Sequence, residues 1–281
     1  MNQPPVNSEP NGLDAWMSDH PWHPRLVPYV VYVALLPLIA LVTDRMPDVY
    51  PILYSMQCLI VGGLLWRYRR LTPELNLKFH LLAIPAGIAV CVLWVALGLW
   101  MIKLFPERFA PPAEGPDHLF DRMSPTIRQV SLGLRLVGMS LLVPLFEELF
   151  VRSLLLRSFH SFKQFVVGIV QWGQDLPVIG EWLMHTSIAK RADAHDQPFA
   201  RMFNQTPLGV ISVTGIVLST FIFTIGHGMR DWPGAVICSL IYIALLRVTR
   251  DKGLGPTVWA HGVTNALLWA YCVYHMNWQF L

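Results

Sequence analysis

Polar and apolar positions along the 281 residues fall into long blocks, not short alternations. Apolar runs occupy residues 26 to 43, 51 to 66, 81 to 102, 137 to 157, 208 to 226, 233 to 249 and 256 to 276. Each approaches the roughly 20 residues that carry a helix across a bilayer core, the second and sixth being short. The pattern predicts an all-α fold, a polytopic transmembrane helix bundle with seven spans, or eight if residues 162 to 172 insert. No small-residue cleavage site follows the first run, which therefore reads as a span and not as a secretory signal. Polar stretches divide the rest. Residues 1 to 24, rich in Pro, Asn and Asp, are expected to form a mobile tail. Residues 105 to 126 have the Pro and acid content of an external loop. They lead into an amphipathic piece, 127 to 136, with Arg128 and Arg135 on one face. The longest polar stretch is 158 to 207. The organisation is thus a tail at 1-24, N-terminal transmembrane helices with an external loop at 25-126, and a helical core at 127-281 interrupted by 158-207.

Composition strengthens the membrane reading. Charged residues make up 14% of the chain, against about 25% in soluble domains. The net charge of +3 fits loops facing an anionic leaflet, so the lipid bilayer is an expected partner and nucleic acid is not. With the N-terminus cytoplasmic, the inward segments carry Arg25, then Arg67, Arg69, Arg70 and Lys78, then Arg157, Lys163, Lys190, Arg191 and Arg201, then Arg247, Arg250 and Lys252. That places thirteen basic residues inside against seven outside, Arg152 lying within a span. Cys58, Cys91, Cys238 and Cys272 all fall in apolar runs and read as small buried hydrophobes, without disulfide or metal spacing.

Ionisable groups at mid-span usually face a protein interior or a wet cavity and mark function. The stretch LFEELFVRS, residues 145 to 153, holds three of them. Glu148 and Arg152 are four apart on a helix and can pair, whereas Glu147 points about 100° away and lacks that partner. Two histidines share the apolar setting, His227 in FTIGHGM and His261 in VWAHGVTN, and Asn265 follows His261 by one helical turn. A purely structural account remains open for each: a buried network that fixes the fold, or an interhelical hydrogen-bond clasp.

EELFVR (Glu147 to Arg152), FTIGH (Phe223 to His227) and HGVTN (His261 to Asn265) resemble, in this order, the E-E-x-x-x-R, F-x-x-x-H and H-x-x-x-N motifs of the CPBP family, also called Abi. This family comprises intramembrane CAAX prenyl endopeptidases and bacteriocin-processing enzymes. The likeness covers roughly residues 137 to 276, and the last span resembles a CAAX-protease-related subgroup found with exosortase systems. Two departures stand out: Ser153 follows the arginine where the family commonly has Gly, and 158 to 207 looks like an insertion.

The resemblance implies an intramembrane endopeptidase that hydrolyses a peptide bond of a membrane-associated, CAAX-like or prenylated protein or peptide. It also implies a bacterial inner-membrane setting. The residues can support that chemistry. A carboxylate held out of water without its own cation suits general-base work, so Glu147 would activate a water that His227 positions. His261 and Asn265 would donate to the oxyanion, and Glu148 with Arg152 would supply structural support. This version needs no cofactor. The alternative makes Glu147, His227 and His261 ligands of a catalytic zinc, although the HExxH spacing is absent. Non-enzymatic alternatives are a membrane scaffold or immunity-type protein; a proton-coupled transporter is disfavoured, since no internal repeat is visible. The spans also set His227 near the outer end of its run and His261 near the inner start of the last. Convergence therefore requires the GHGMRDWPG stretch to dip into the bundle or these spans to shift in depth.

Overall fold

A computed structural model describes residues 12–109, 118–174, 178–193 and 198–280, and no strand occurs among the described residues. The chain opens with α1 (Gly12–Asp19), α2 (His23–Arg45), α3 (Tyr50–Arg67), α4 (Ala83–Leu104) and the short α5 (Pro106–Phe109). A long helical segment follows, made of α6 (Pro125–Val137), α7 (Val143–Glu148) and α8 (Leu156–Ser158), joined by two π-helical pieces, Gly138–Leu142 and Leu149–Leu155. Four helices occupy the polar stretch: α9 (Phe162–Gln174), α10 (Ile179–Met184), α11 (Ser187–Asp193) and α12 (Pro198–Gln205). The chain ends with α13 (Val213–Ile225), α14 (Trp232–Val248) and α15 (Gly255–His275). Every apolar run is helical over most of its length, the run at 208 to 226 only from Val213. Proline falls in the first turn of α3, α6, α14 and α15, where its missing N–H removes no helical bond. At α13 the Ser212 hydroxyl caps the helix by accepting from Gly215 N at 3.0 Å.

The molecule is a membrane helix bundle. Four helical segments, His23–Arg45, Pro47–Arg67, Ala83–Leu104 and Met229–Val248, are long and apolar enough to cross a bilayer; Val213–Ile225 is apolar but shorter. Around a hydrophobic interior, many large apolar side chains are also exposed along the long helices. On α3, Leu59 is 74% exposed whereas Gln57 is 1% exposed, its amide donating to Tyr32 O at 2.8 Å. Here the polar group faces inward and the apolar one outward, as lipid demands. At 13 residues α9 rises only about 20 Å, short of the ~30 Å hydrocarbon core. Its contacts are with α10, α11 and α12, so the polar stretch forms a helical layer of its own.

The N-terminal tail departs from expectation. Residues 1–11 lie outside the described residues, but 12–19 form a helix that docks and a turn leads from it into α2 at His23. Met17 is fully buried, Asp14 accepts from Tyr68 Oη at 3.0 Å and pairs with Arg67, and the His23 ring donates to Trp16 O. Polar composition hid this helix because its anchors are single residues meeting partners about fifty positions away. Residues 110–117 of the external loop, and 175–177 and 194–197 of the insertion, also lie outside the described residues.

Helix α4 packs against both α14 and α15. Glycine permits this approach: a Cβ on Gly87 would stand 2.8 Å from Val263 Cβ on α15. Thr264 Oγ1 then reaches Gly87 O at 2.9 Å. On the opposite side of α15, Gly262 backs onto the first π-helical piece, where a Cβ would stand 2.6 Å from Ser140 O. Helix α15 is thereby pinned between α4 and the π-broken helix.

At one end of the bundle, Glu74 joins three elements. Arg25 Nε and Nη2 donate to its two carboxylate oxygens at 2.6 and 2.9 Å, the Ser153 hydroxyl donates to Oε1, and Leu254 N donates to Glu74 O at 2.9 Å. Ser153, which sits one residue after Arg152, thus has a partner. Burial pushes the Glu74 carboxyl up, but the Arg25 hydrogen bonds and charge together with Ser153 outweigh it, leaving it below its ordinary value of 4.5. A depressed folded-state value adds stability above pH 4.5, and that stability is lost as pH falls through the folded value. Glu74→Gln is expected to cost about 2 kcal/mol at pH 7 and to flatten the acid limb of a melting-temperature profile in detergent. A variant with the wild-type profile would show that Glu74 carries no such linkage.

Candidate functional site

Glu147 and Glu148 close α7, immediately before the second π-helical piece. The first π-helical piece decides what else shares their face. Arg135, Met139, Val143 and Glu147 succeed one another at intervals of four, and all line the same cavity. In an unbroken α-helix, twelve positions would leave Glu147 about 120° away from Arg135. A π turn absorbs one extra residue and takes back about 100° of that drift. Pro144 favours the break, because it has no N–H to give Ser140 O.

The cavity has a volume of about 330 Å³. Glu147, His227, His261 and Asn265 all line it, although they come from three separate segments. His261 stands between the two glutamates, its Nδ1 donating to Glu148 Oε1 at 3.0 Å while Nε2 lies 3.7 Å from Glu147 Oε2. Glu148 therefore fixes the ring's tautomer and aims Nε2 at Glu147. Arg152 Nη1 is 3.3 Å from Glu148 Oε1, and both side chains are wholly buried. The Arg152 guanidinium also lies over the Phe223 and Tyr242 rings, at 4.9 and 5.3 Å from their centroids. Asn265 Nδ2 donates to Met139 O at 2.7 Å, so this amide grips the π-helical carbonyls with one N–H and keeps a second for the cavity.

His227 reaches the cavity because α13 stops early. The helix ends at Ile225, and residues 226 to 231 continue as a bend and a 3₁₀ turn, Met229–Asp231, that packs against α4. His227 and Asp231 from this stretch both line the cavity. His227 Nδ1 donates to Phe223 O at 2.8 Å, which leaves Nε2 of the neutral ring as an acceptor. The ring packs edge-on against Trp94 at 5.3 Å. Trp232 Nε1 donates to His227 O at 3.0 Å, holding the turn.

Several cavity residues escape sequence reasoning. Arg135 lines the cavity, a placement that its spacing from Arg128 on one helix face does not disclose; the π turn that brings Glu147 round to the face of Arg135 leaves no periodic signal. Asp231 lines it too, held by Arg230 through two contacts of 2.9 Å. The contact of Glu148 with His261 gives that glutamate a positioning role beyond its pairing with Arg152. For the zinc alternative, Glu147 and His261 approach one another, but among the described residues no three His, Cys, Asp or Glu side chains are grouped to hold a metal ion. The four cysteines are free, three buried and Cys58 half-buried, with Cys238 on the cavity wall. No family model matches the chain, and no curated protein or solved structure matches it.

Proposed function

We propose that this protein is an intramembrane endopeptidase of the CPBP type, hydrolysing a peptide bond of a membrane-associated protein or peptide with water activated by Glu147. One observation carries the reading: a general-base candidate, two histidines and an amide donor meet in one cavity, inside a bundle whose outer surface is apolar. Peptide hydrolysis needs these parts and a shelter from bulk water.

Glu147 takes a proton from a water held on the other side by His227 Nε2, and the resulting oxygen attacks the scissile carbonyl. The negative charge that develops on the carbonyl oxygen accepts from the free Asn265 N–H and from His261 when its Nε2 is protonated. Glu148 steadies that imidazolium through Nδ1, at 3.0 Å. The proton gained by Glu147 passes to the leaving amine, which restores the carboxylate. The wholly buried Glu148–Arg152 pair holds the helix that carries the base. The Lys and Arg bias favours a cytoplasmic N-terminus, and the resemblance favours a bacterial inner membrane.

The test is cleavage by the purified protein in nanodiscs of peptides that accumulate in a deletion strain, followed by mass spectrometry. Cleavage is expected to survive exhaustive chelation, and Asn265→Ala to lower turnover roughly 10²- to 10³-fold with little change in affinity. Activity lost on chelation and restored by zinc would replace the mechanism while leaving the protease reading in place. A folded protein that cleaves none of the accumulating peptides would favour a scaffold.

A further inference from the structure

Arg135 has no role in this chemistry, yet it lines the same cavity. Its Nη1 donates to Tyr50 Oη at 3.1 Å, its guanidinium lies 5.6 Å from the Tyr54 ring centroid, and its buried Nε has no hydrogen-bond partner. Among the described residues no carboxylate lies within ion-pair distance of it. The acidic groups that line the cavity are engaged elsewhere: Asp231 with Arg230, and Glu147 facing His261. A half-buried arginine on a cavity wall of a membrane bundle without a counter-ion is costly, and its planar fork matches a carboxylate on two hydrogen bonds.

Building on the endopeptidase reading, we propose that Arg135 is an anion subsite that binds a carboxylate of the substrate peptide, and so sets where along the chain Glu147 cuts. The π turn gives the argument its geometry, because it brings Arg135 and Glu147 to one wall, twelve residues apart. At 1.5 Å per residue they are separated by about 18 Å along the helix axis. An extended peptide covers that distance in about five residues. A 330 Å³ cavity is at the small end of ligand sites and suits a chain terminus better than a long internal segment. The expected anion is therefore the free C-terminal carboxylate, an acidic side chain being the other source of the same chemistry.

The experiment uses full-length protein in phosphatidylcholine nanodiscs and N-terminally fluorescent apolar hexapeptides. One carries a free C-terminal carboxylate, one a C-terminal amide, and one an amide with Glu as its last residue. Binding is read by anisotropy and cleavage separately by mass spectrometry. The free acid is expected to bind at least about tenfold more tightly than the plain amide. Arg135→Gln should erase that preference, and Arg135→Lys should keep part of it. Equal binding of all three peptides by the wild type, or no saturable binding of any, overturns the proposal without any variant being needed. A preference that persists in Arg135→Gln, or that appears only when anionic lipid is added, also overturns it. Tight binding of the Glu-ended amide supports the subsite and assigns the source to a side chain. Carboxylate-dependent binding without cleavage would keep the subsite and remove the protease reading; cleavage indifferent to the carboxylate would do the reverse.

Discussion

Replacing Glu147 with Gln is expected to leave a folded, membrane-embedded protein whose peptide hydrolysis falls by about 10²- to 10⁴-fold, the usual contribution of a positioned general base. The fold should survive because Glu147 borders the cavity, with its side chain 19% exposed and its nearest ionic neighbour, His261 Nε2, at 3.7 Å. Gln has nearly the same shape and removes only the ability to take a proton. Substrate affinity should barely change, so the loss belongs in kcat. The measurement is single-turnover cleavage beside a melting curve of the same preparation. Full turnover by a variant that melts like the wild type would end the general-base assignment.

The second large effect concerns stability. Arg152→Gln is expected to cost about 3 to 5 kcal/mol, because it strands the wholly buried Glu148 carboxylate. Glu148→Gln should cost a similar amount by stranding Arg152, whose guanidinium would keep only the Phe223 and Tyr242 rings. The double variant should recover part of either loss, as a double-mutant cycle in detergent would show. Losses that simply add would mean that the two charges do not support one another. Activity separates the partners. Glu148 also fixes His261, so the double variant should stay slow even where its stability returns.

How much of this was legible beforehand depends on the range of the interactions involved. Hydropathy located the helices because a lipid-facing segment declares itself by length and composition, as α2 and α4 do. The i,i+4 rule anticipated that Glu148 and Arg152 can meet, and the ion pair forms at 3.3 Å. The two π-helical pieces left no such trace. They shift register by a residue without altering composition, which is why nothing in the spacing discloses that Arg135 and Glu147 share a cavity wall. The Arg25–Glu74–Ser153 contacts were equally hidden, since Glu74 and Ser153 are 79 residues apart. The early stop of α13, which brings His227 inward, is signalled by Gly226 directly after Ile225, but how far the following turn dips is set by its packing on α4.

Arg157 holds the helices of the polar stretch 158 to 207 mainly through their main chain. Its Nε and Nη2 donate to Thr206 O and Phe203 O, both at 2.8 Å, and its guanidinium stacks 3.8 Å from the Phe203 ring centroid. Main-chain carbonyls are supplied by any amino acid, so apart from the aromatic ring this clasp is indifferent to what the segment spells. Substitutions at the exposed positions of α9 to α12 leave this clasp in place so long as Arg157 and Phe203 are kept. A chain with this arrangement can acquire a new face towards its surroundings without renegotiating the core that carries the glutamates.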